Sequence, residues 1–172
     1  MVNKSMKKDN ILLIGMPGSG KSFYGKLLAK KLGFKFIDCD EYIERKEKMT
    51  VQKIIDAKGD EQFLKIEEKR NLELVFLKKH VLAPGGSIVY LEKLMDAFKK
   101  SAVIVFLDMS LKIIEKRLAN KTTRGIIGLK AKSIKELYKE RVPLYKKYAD
   151  IIVNCSKKSE SEIIKEIIKK LK

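Results

Sequence analysis

The chain has 172 residues, 45% of them hydrophobic and 35% charged, the size and composition of one globular domain with a full core. Its 39 Lys and Arg outnumber 22 Asp and Glu for a formal net charge of +17, but the lysines are spread over the whole chain. With no dense basic block and no aromatic-and-basic RNA-binding motif, this charge implies a lysine-rich solvated surface and no specific nucleic-acid partner; no segment is apolar for long enough to span a membrane.

The first expected strand is Ile11–Ile14. It runs straight into Gly15-Met16-Pro17-Gly18-Ser19-Gly20-Lys21-Ser22, which fits the phosphate-binding pattern G-x-x-x-x-G-K-[ST]. Glycines let such a loop fold tightly enough for its N–H groups to face phosphate oxygens. Lys21 then reaches the β/γ-phosphates and the Ser22 hydroxyl coordinates Mg²⁺. Phe23, Leu27, Leu28 and Leu32 recur at helical spacing, so Ser22–Leu32 supplies the helix whose N-terminus faces the anion. Gly15, Pro17, Gly18, Ser19, Gly20, Lys21, Ser22 and Phe23 are accordingly assigned to a nucleoside triphosphate, which the resemblance given below makes ATP.

Lys35–Ile37 is the second expected strand and leads into Asp38-Cys39-Asp40. Two carboxylates at i and i+2 of an extended segment point to one side. One can help to hold Mg²⁺ through its water shell while the other accepts the proton of an attacking hydroxyl. Asp40 also reads as the N-cap of a following helix. Thr50 is placed to cap a short helix ending at Gly59, and Asp60 to start a longer one through Lys79. His80–Ala83 is the third strand, followed by the turn Pro84-Gly85-Gly86-Ser87 at the strand edge where open parallel sheets bind ligands.

Ala102–Leu107 and Ile151–Val153 complete five strands. Ser110 is placed to cap a helix holding Leu111, Ile114 and Leu118. Asn120–Lys132, with two glycines and Arg124, reads as a mobile flap between helices. Arg141 stands beside Pro143, expected to interrupt its helix, and offers a guanidinium suited to gripping a carboxylate. Ile163, Ile164, Ile167, Ile168 and Leu171 form the core-facing stripe of a last helix. Alternation of strands and helices implies an α/β fold, a parallel sheet covered on both faces. Cys39 and Cys155 do not resemble a metal or redox pair and suggest reduced thiols in the cytoplasm.

Taken in order, the P-loop, Phe36-Ile37-Asp38-Cys39-Asp40, the stretch Met49-Thr50-Val51 through Gly59-Asp60-Glu61-Gln62-Phe63, the glycine turn, Arg124 and Arg141-Val142-Pro143-Leu144-Tyr145 resemble the shikimate kinases from Asn10 to Val153. The resemblance implies a three-layer P-loop kinase fold with a five-stranded parallel sheet, a helical substrate-binding subdomain over about 38–79 and a lid over about 120–132. It implies transfer of the ATP γ-phosphoryl group to the 3-hydroxyl of shikimate, with Mg²⁺ as cofactor and a single-chain enzyme. By the same resemblance Ser22 and Asp38 serve the metal, and Lys21 and Asp40 are catalytic. Arg124 is the lid arginine on ATP, and Gly85, Gly86, Arg141 and the position of Leu64 belong to the acceptor site.

Three positions depart from that family's usual pattern. Leu64 stands where the family has a carboxylate-binding arginine, with Lys65 turned about 100° away around the helix. Ser87 replaces the third glycine of the turn. Gly125 replaces the proline after the lid arginine and is expected to loosen that turn. Three readings follow: a shikimate kinase, a kinase of the same fold for another small hydroxylated metabolite, and a nucleotide-binding protein without phosphoryl transfer.

Overall fold

The computed structural model describes residues 8–119 and 125–172. Strands β1 (Asn10–Ile14), β2 (Lys35–Asp38), β3 (His80–Ala83), β4 (Ala102–Asp108) and β5 (Ile151–Asn154) form one sheet in the order β2-β3-β1-β4-β5. Every pairing is parallel, with Ile11 beside Val81 and Val103 at the centre. The sequence explains the order. β1 is buried at all its positions and suits the middle, whereas β2 begins on the exposed Lys35 and lies at the edge.

Among the described residues six helices lie between the strands, α1 (Lys21–Leu32), α2 (Cys39–Glu47), α3 (Val51–Leu72), α4 (Glu92–Ser101), α5 (Leu111–Ala119) and α6 (Ile134–Tyr148), with a 3₁₀ turn at Gly86–Tyr90, and α7 (Glu160–Leu171) follows β5. The chain moves one way across the sheet from β1 to β2 and the other way from β3 to β4. Right-handed crossovers therefore place α1 and α4 on opposite faces. α7 packs against α1 as well as β5, and α6 joins α4 on β4. The result is three layers. The main core lies between sheet and helices, and a smaller one gathers Ile43, Val51, Ile54, Ile55, Phe63 and Ile127.

Local signals set most helix starts. The Thr50 hydroxyl accepts from the Lys53 N–H, and Ser133 and Ser159 form reciprocal capping boxes with Glu136 and Glu162. Three expectations are corrected. Asp38, not Asp40, caps α2, its carboxylate accepting from the N–H groups of Asp40 and Glu41, so Asp40 sits in the first helical turn. The break expected at Gly59 is present: its φ of +79° and ψ of +168° are not helical and divide α3 into two helical segments. That helix stops at Leu72, not Lys79, and Leu74 reaches the core from the turn that follows. Pro143 lies within α6 without ending it, because burial of Leu137, Arg141, Tyr145 and Tyr148 along one face holds the helix together.

Candidate active site

The loops after β1, β2 and β3 open at one edge of the sheet, the carboxyl end of its strands, onto a cleft of about 1430 Å³. β1 ends at Ile14, and the loop from Gly15 delivers Lys21 and Ser22 at the start of α1. Gly20 makes this turn possible with φ +91°. Lys21 Nζ donates to the carbonyls of Gly15 at 2.9 Å and Met16 at 3.0 Å. Burial lowers the Lys21 pKa to about 8, while the nearby carboxylates of Asp40 and Asp38 act in the opposite direction. The Ser22 hydroxyl donates to Asp38 Oδ2 at 2.5 Å. These are hard oxygen donors at a helix N-terminus, and they fit Mg²⁺, which keeps phosphate and water in most of its coordination positions. Among the described residues no three Asp, Glu, His or Cys side chains cluster to form a protein cage for a metal.

Asp40 lines the same cleft from α2, and Gly85, Gly86 and Ser87 line it from the turn after β3. The glycines are there for space. A Cβ on Gly86 would lie 2.9 Å from Pro17 Cδ and 3.0 Å from both Arg141 Nη1 and the Tyr145 hydroxyl. Tyr145 donates to the Gly86 carbonyl at 2.7 Å, which fixes the turn against α6. Arg141 is almost wholly buried. Its Nε donates to the Tyr90 hydroxyl at 3.1 Å, Nη2 donates to the Ile127 carbonyl at 2.7 Å, and the guanidinium lies over the Tyr90 ring. This leaves Nη1 beside Gly86.

Of the residues expected from sequence, Pro17, Gly18, Gly20, Lys21, Ser22, Phe23, Asp38, Asp40, Gly85, Gly86 and Arg141 line this cleft. Gly15 and Ser19 lie behind the loop: a Cβ on Gly15 would approach the Ser19 hydroxyl at 2.9 Å. Leu64 packs against the smaller core cluster, and the cleft lining does not include it. Lys65 pairs with Glu61 at 3.0 Å in solvent, so it does not replace a missing guanidinium. Arg124 lies outside the described residues. The turn that Gly125 was expected to loosen lies in part outside the described residues; a side chain at Gly125 would meet Ile55 and Val51 at 2.9 Å, so the glycine permits close packing on α3.

Sequence reasoning missed three groups. Arg117 at the end of α5 donates to the Gly18 carbonyl at 2.9 Å and lines the cleft beside the P-loop. Tyr90 and Tyr145 support Arg141 and Gly86. Only the scarcity of arginine could have drawn attention to Arg117, since no local motif surrounds it. Cys39 and Cys155 are free and buried, and burial raises both thiol pKa values, that of Cys155 to about 12.

A P-loop after the central strand, an acidic pair after the edge strand β2 and a five-stranded parallel sheet define a P-loop kinase fold. The family model for shikimate kinase matches residues 17–172. A curated shikimate kinase of Sulfurihydrogenibium sp. (strain YO3AOP1) is 39% identical over 163 residues, covering 95% of this chain and 98% of the relative. Among solved structures, shikimate kinase from Aquifex aeolicus aligns with a TM-score of 0.81 at 31% identity, covering 94% of this chain and 95% of that one. Shikimate kinase from Acinetobacter baumannii, in complex with shikimate, aligns with a TM-score of 0.83 at 28% identity, covering 94% and 92%. The chain belongs to the shikimate kinase family.

Proposed function

We propose that this chain is an ATP-dependent shikimate kinase that moves the γ-phosphoryl group of ATP to the 3-hydroxyl of shikimate. The observation that carries this reading, beside family membership, is that Lys21, the Ser22–Asp38 pair, Asp40 and Arg141 converge on one cleft. Lys21 exchanges its loop carbonyls for phosphate oxygens when nucleotide binds. Ser22 and Asp38 are the residues that would hold Mg²⁺, which would supply charge neutralisation at the phosphates. Asp40 faces the acceptor and takes the proton of its hydroxyl as oxygen bonds to the γ-phosphorus and the bond to ADP breaks. Arg141 takes the acceptor carboxylate at Nη1, its other nitrogens being held by Tyr90 and Ile127. The P-loop residues from Gly15 to Phe23 and Arg117 hold the nucleotide, and Arg124 joins them as the lid arginine.

The smaller hydrophobic cluster supports a distinct acceptor-binding subdomain over about 38–79, since it draws on α2 and α3 rather than the sheet. It also includes Ile127, and the Gly128 N–H donates to Asp60 Oδ2 at 2.8 Å. These contacts support a lid over about 120–132 that docks on α3. Two buried free thiols support a reducing compartment such as the cytoplasm. Among the described residues no helix is long and apolar enough to cross a membrane.

The test is ADP release from MgATP with and without shikimate, with Lys21→Ala as the blank. Shikimate-dependent turnover that the blank lacks is expected. A second reading draws on Leu64, which leaves Arg141 as the guanidinium at the acceptor end among the described residues. In that reading the acceptor is another small hydroxylated metabolite. Nucleotide binding without stimulation by shikimate would favour it.

A further inference from the structure

The guanidinium of Arg141 is almost wholly buried, yet the two partners that fix it are neutral: the Tyr90 hydroxyl at Nε and the Ile127 carbonyl at Nη2. A buried cation is costly unless negative charge or well-placed hydrogen bonds compensate it. A negative charge lies one hydroxyl away. Glu140 Oε1 accepts from the Tyr90 hydroxyl, and its Oε2 pairs with Lys132. Glu140 directly precedes Arg141 in α6, but its carboxylate is exposed and meets the guanidinium through the Tyr90 oxygen.

The direction of this chain of hydrogen bonds is fixed by chemistry. A guanidinium only donates and an ionised carboxylate only accepts, so the Tyr90 oxygen receives the Nε proton while its own proton goes to Glu140. Lys132 first and the Tyr90 bond second hold the Glu140 carboxyl below its ordinary pKa. Burial first and the Glu140 bond second hold the Tyr90 hydroxyl above its own, so each group keeps the form this chain requires. A carboxylate on the far side of the hydroxyl also makes the Tyr90 oxygen a stronger acceptor.

The bonds to Tyr90 and Ile127 together fix the orientation of the guanidinium. Nε and one proton of Nη2 are taken, and Nη1 stands at the cleft, where a Cβ on Gly86 would lie 3.0 Å from it. Tyr90 ends the same 3₁₀ turn that Gly86 begins, so one short element both lines the cleft and aims the arginine. The Ile127 carbonyl is itself held, since Ile127 packs in the smaller core and the neighbouring Gly128 N–H donates to Asp60. Leu64 and Lys65 bring no cation here, being engaged with the smaller core and with Glu61. Among the described residues, anion binding at the acceptor end of the cleft therefore rests on the aim of Arg141.

We propose that Tyr90 and Glu140 are positioning residues: Glu140 anchors the Tyr90 hydroxyl, and Tyr90 turns the Arg141 guanidinium so that Nη1 meets the acceptor carboxylate. A single guanidinium thus grips by pre-set orientation, because the freedom of the arginine side chain is lost on folding and not on binding. This inference rests on the kinase reading above.

The experiment measures kcat and KM with shikimate, and inhibition by its uncharged carboxamide, in wild type, Tyr90→Phe, Glu140→Ala, Glu140→Gln and the double variant Tyr90→Phe/Glu140→Ala. Tyr90→Phe keeps the ring beside the guanidinium and removes only the hydroxyl. It is expected to raise the KM for shikimate about 10-fold or more, the size of a lost hydrogen bond to a charged group, with kcat changed by less than about threefold and the KM for MgATP unchanged. Glu140→Ala is expected to raise the same KM by about 3- to 10-fold, and Glu140→Gln, which keeps an oxygen for Tyr90, by less than about twofold. The double variant is expected to equal Tyr90→Phe, since Glu140 acts through a hydroxyl that is already gone. Inhibition by the carboxamide, which offers Arg141 no charge, is expected to change by less than about twofold throughout. An unchanged KM for shikimate in Tyr90→Phe and Glu140→Ala overturns the proposal. So does an additive double variant or an equal loss for the carboxamide, since either marks a general structural role. Thermal unfolding monitors each variant, and the exposed Glu140 keeps the proposal testable where Tyr90→Phe does not fold. A wild type without shikimate-dependent turnover overturns the kinase reading, and this inference with it.

Discussion

Asp40 and Glu67 show how two carboxyl groups near one cleft come to differ. Asp40 stands in the first turn of α2, where the helix N-terminus favours negative charge, while Glu67 is sealed inside on α3. Asp40→Asn is expected to lower kcat by about two orders of magnitude or more while nucleotide binding is little changed, measured by turnover and by ATP titration. Unchanged turnover would remove Asp40 as the proton acceptor. Glu67 holds its proton more tightly in the folded chain, with a pKa near 8 against 4.5 unfolded. Its contribution to stability is complete below the unfolded value and is lost as pH rises through the folded one. Glu67→Gln, which has no proton to lose, should therefore gain in Tm relative to wild type as pH is raised from about 5 to about 8.5. A constant difference in Tm across that range would mean that Glu67 does not titrate as its burial implies.

The elements carry the site through a few backbone positions. α3 turns at Gly59 so that its first half covers the smaller core while its second half brings Phe63 and Glu67 toward the cleft. That turn uses φ +79° with ψ +168°, a conformation almost confined to glycine. Gly59→Ala meets no atom within 4 Å, so its cost is backbone strain alone. It should lower unfolding free energy by about 1–3 kcal/mol in denaturant titration. A loss well below that range would show that the kink relaxes without the glycine. In α6 the same question has the opposite answer. Pro143 breaks no helix because a buried stripe of Leu137, Arg141, Tyr145 and Tyr148 outweighs one lost hydrogen bond.

At the scale of the whole molecule, the excess of 39 basic over 22 acidic side chains gives a long-range field that attracts anionic nucleotide and acceptor. kcat/KM for both substrates is expected to fall as ionic strength rises from about 0.02 to 0.3 M, through KM more than kcat, because screening shortens the field from roughly 20 Å to under 10 Å. A rate indifferent to salt would assign the lysines to solvation alone. Steering of this kind needs no basic motif, which agrees with lysines scattered over every helix.

The sequence by itself determined the strands, the P-loop, the acidic pair after β2, the glycine turn and Arg141. Each of these is written in contiguous residues, by period, by glycine spacing or by a capping side chain, and local sterics suffice to read them. Tertiary structure decided what local sterics cannot. Only tertiary packing sets the half-buried Leu64 against the smaller core and makes Gly125 a close-approach glycine. Only the fold of α5 over the loop after β1 brings Arg117 to Gly18, across 99 residues of sequence. Asp38 took the cap that Asp40 seemed equally suited to, since two candidates two residues apart compete and burial of Cys39 sets the register. Glu67 and Ser87 meet across 20 residues. A hydrogen bond between side chains on different elements, and the proton it holds in place, follows from how those elements pack.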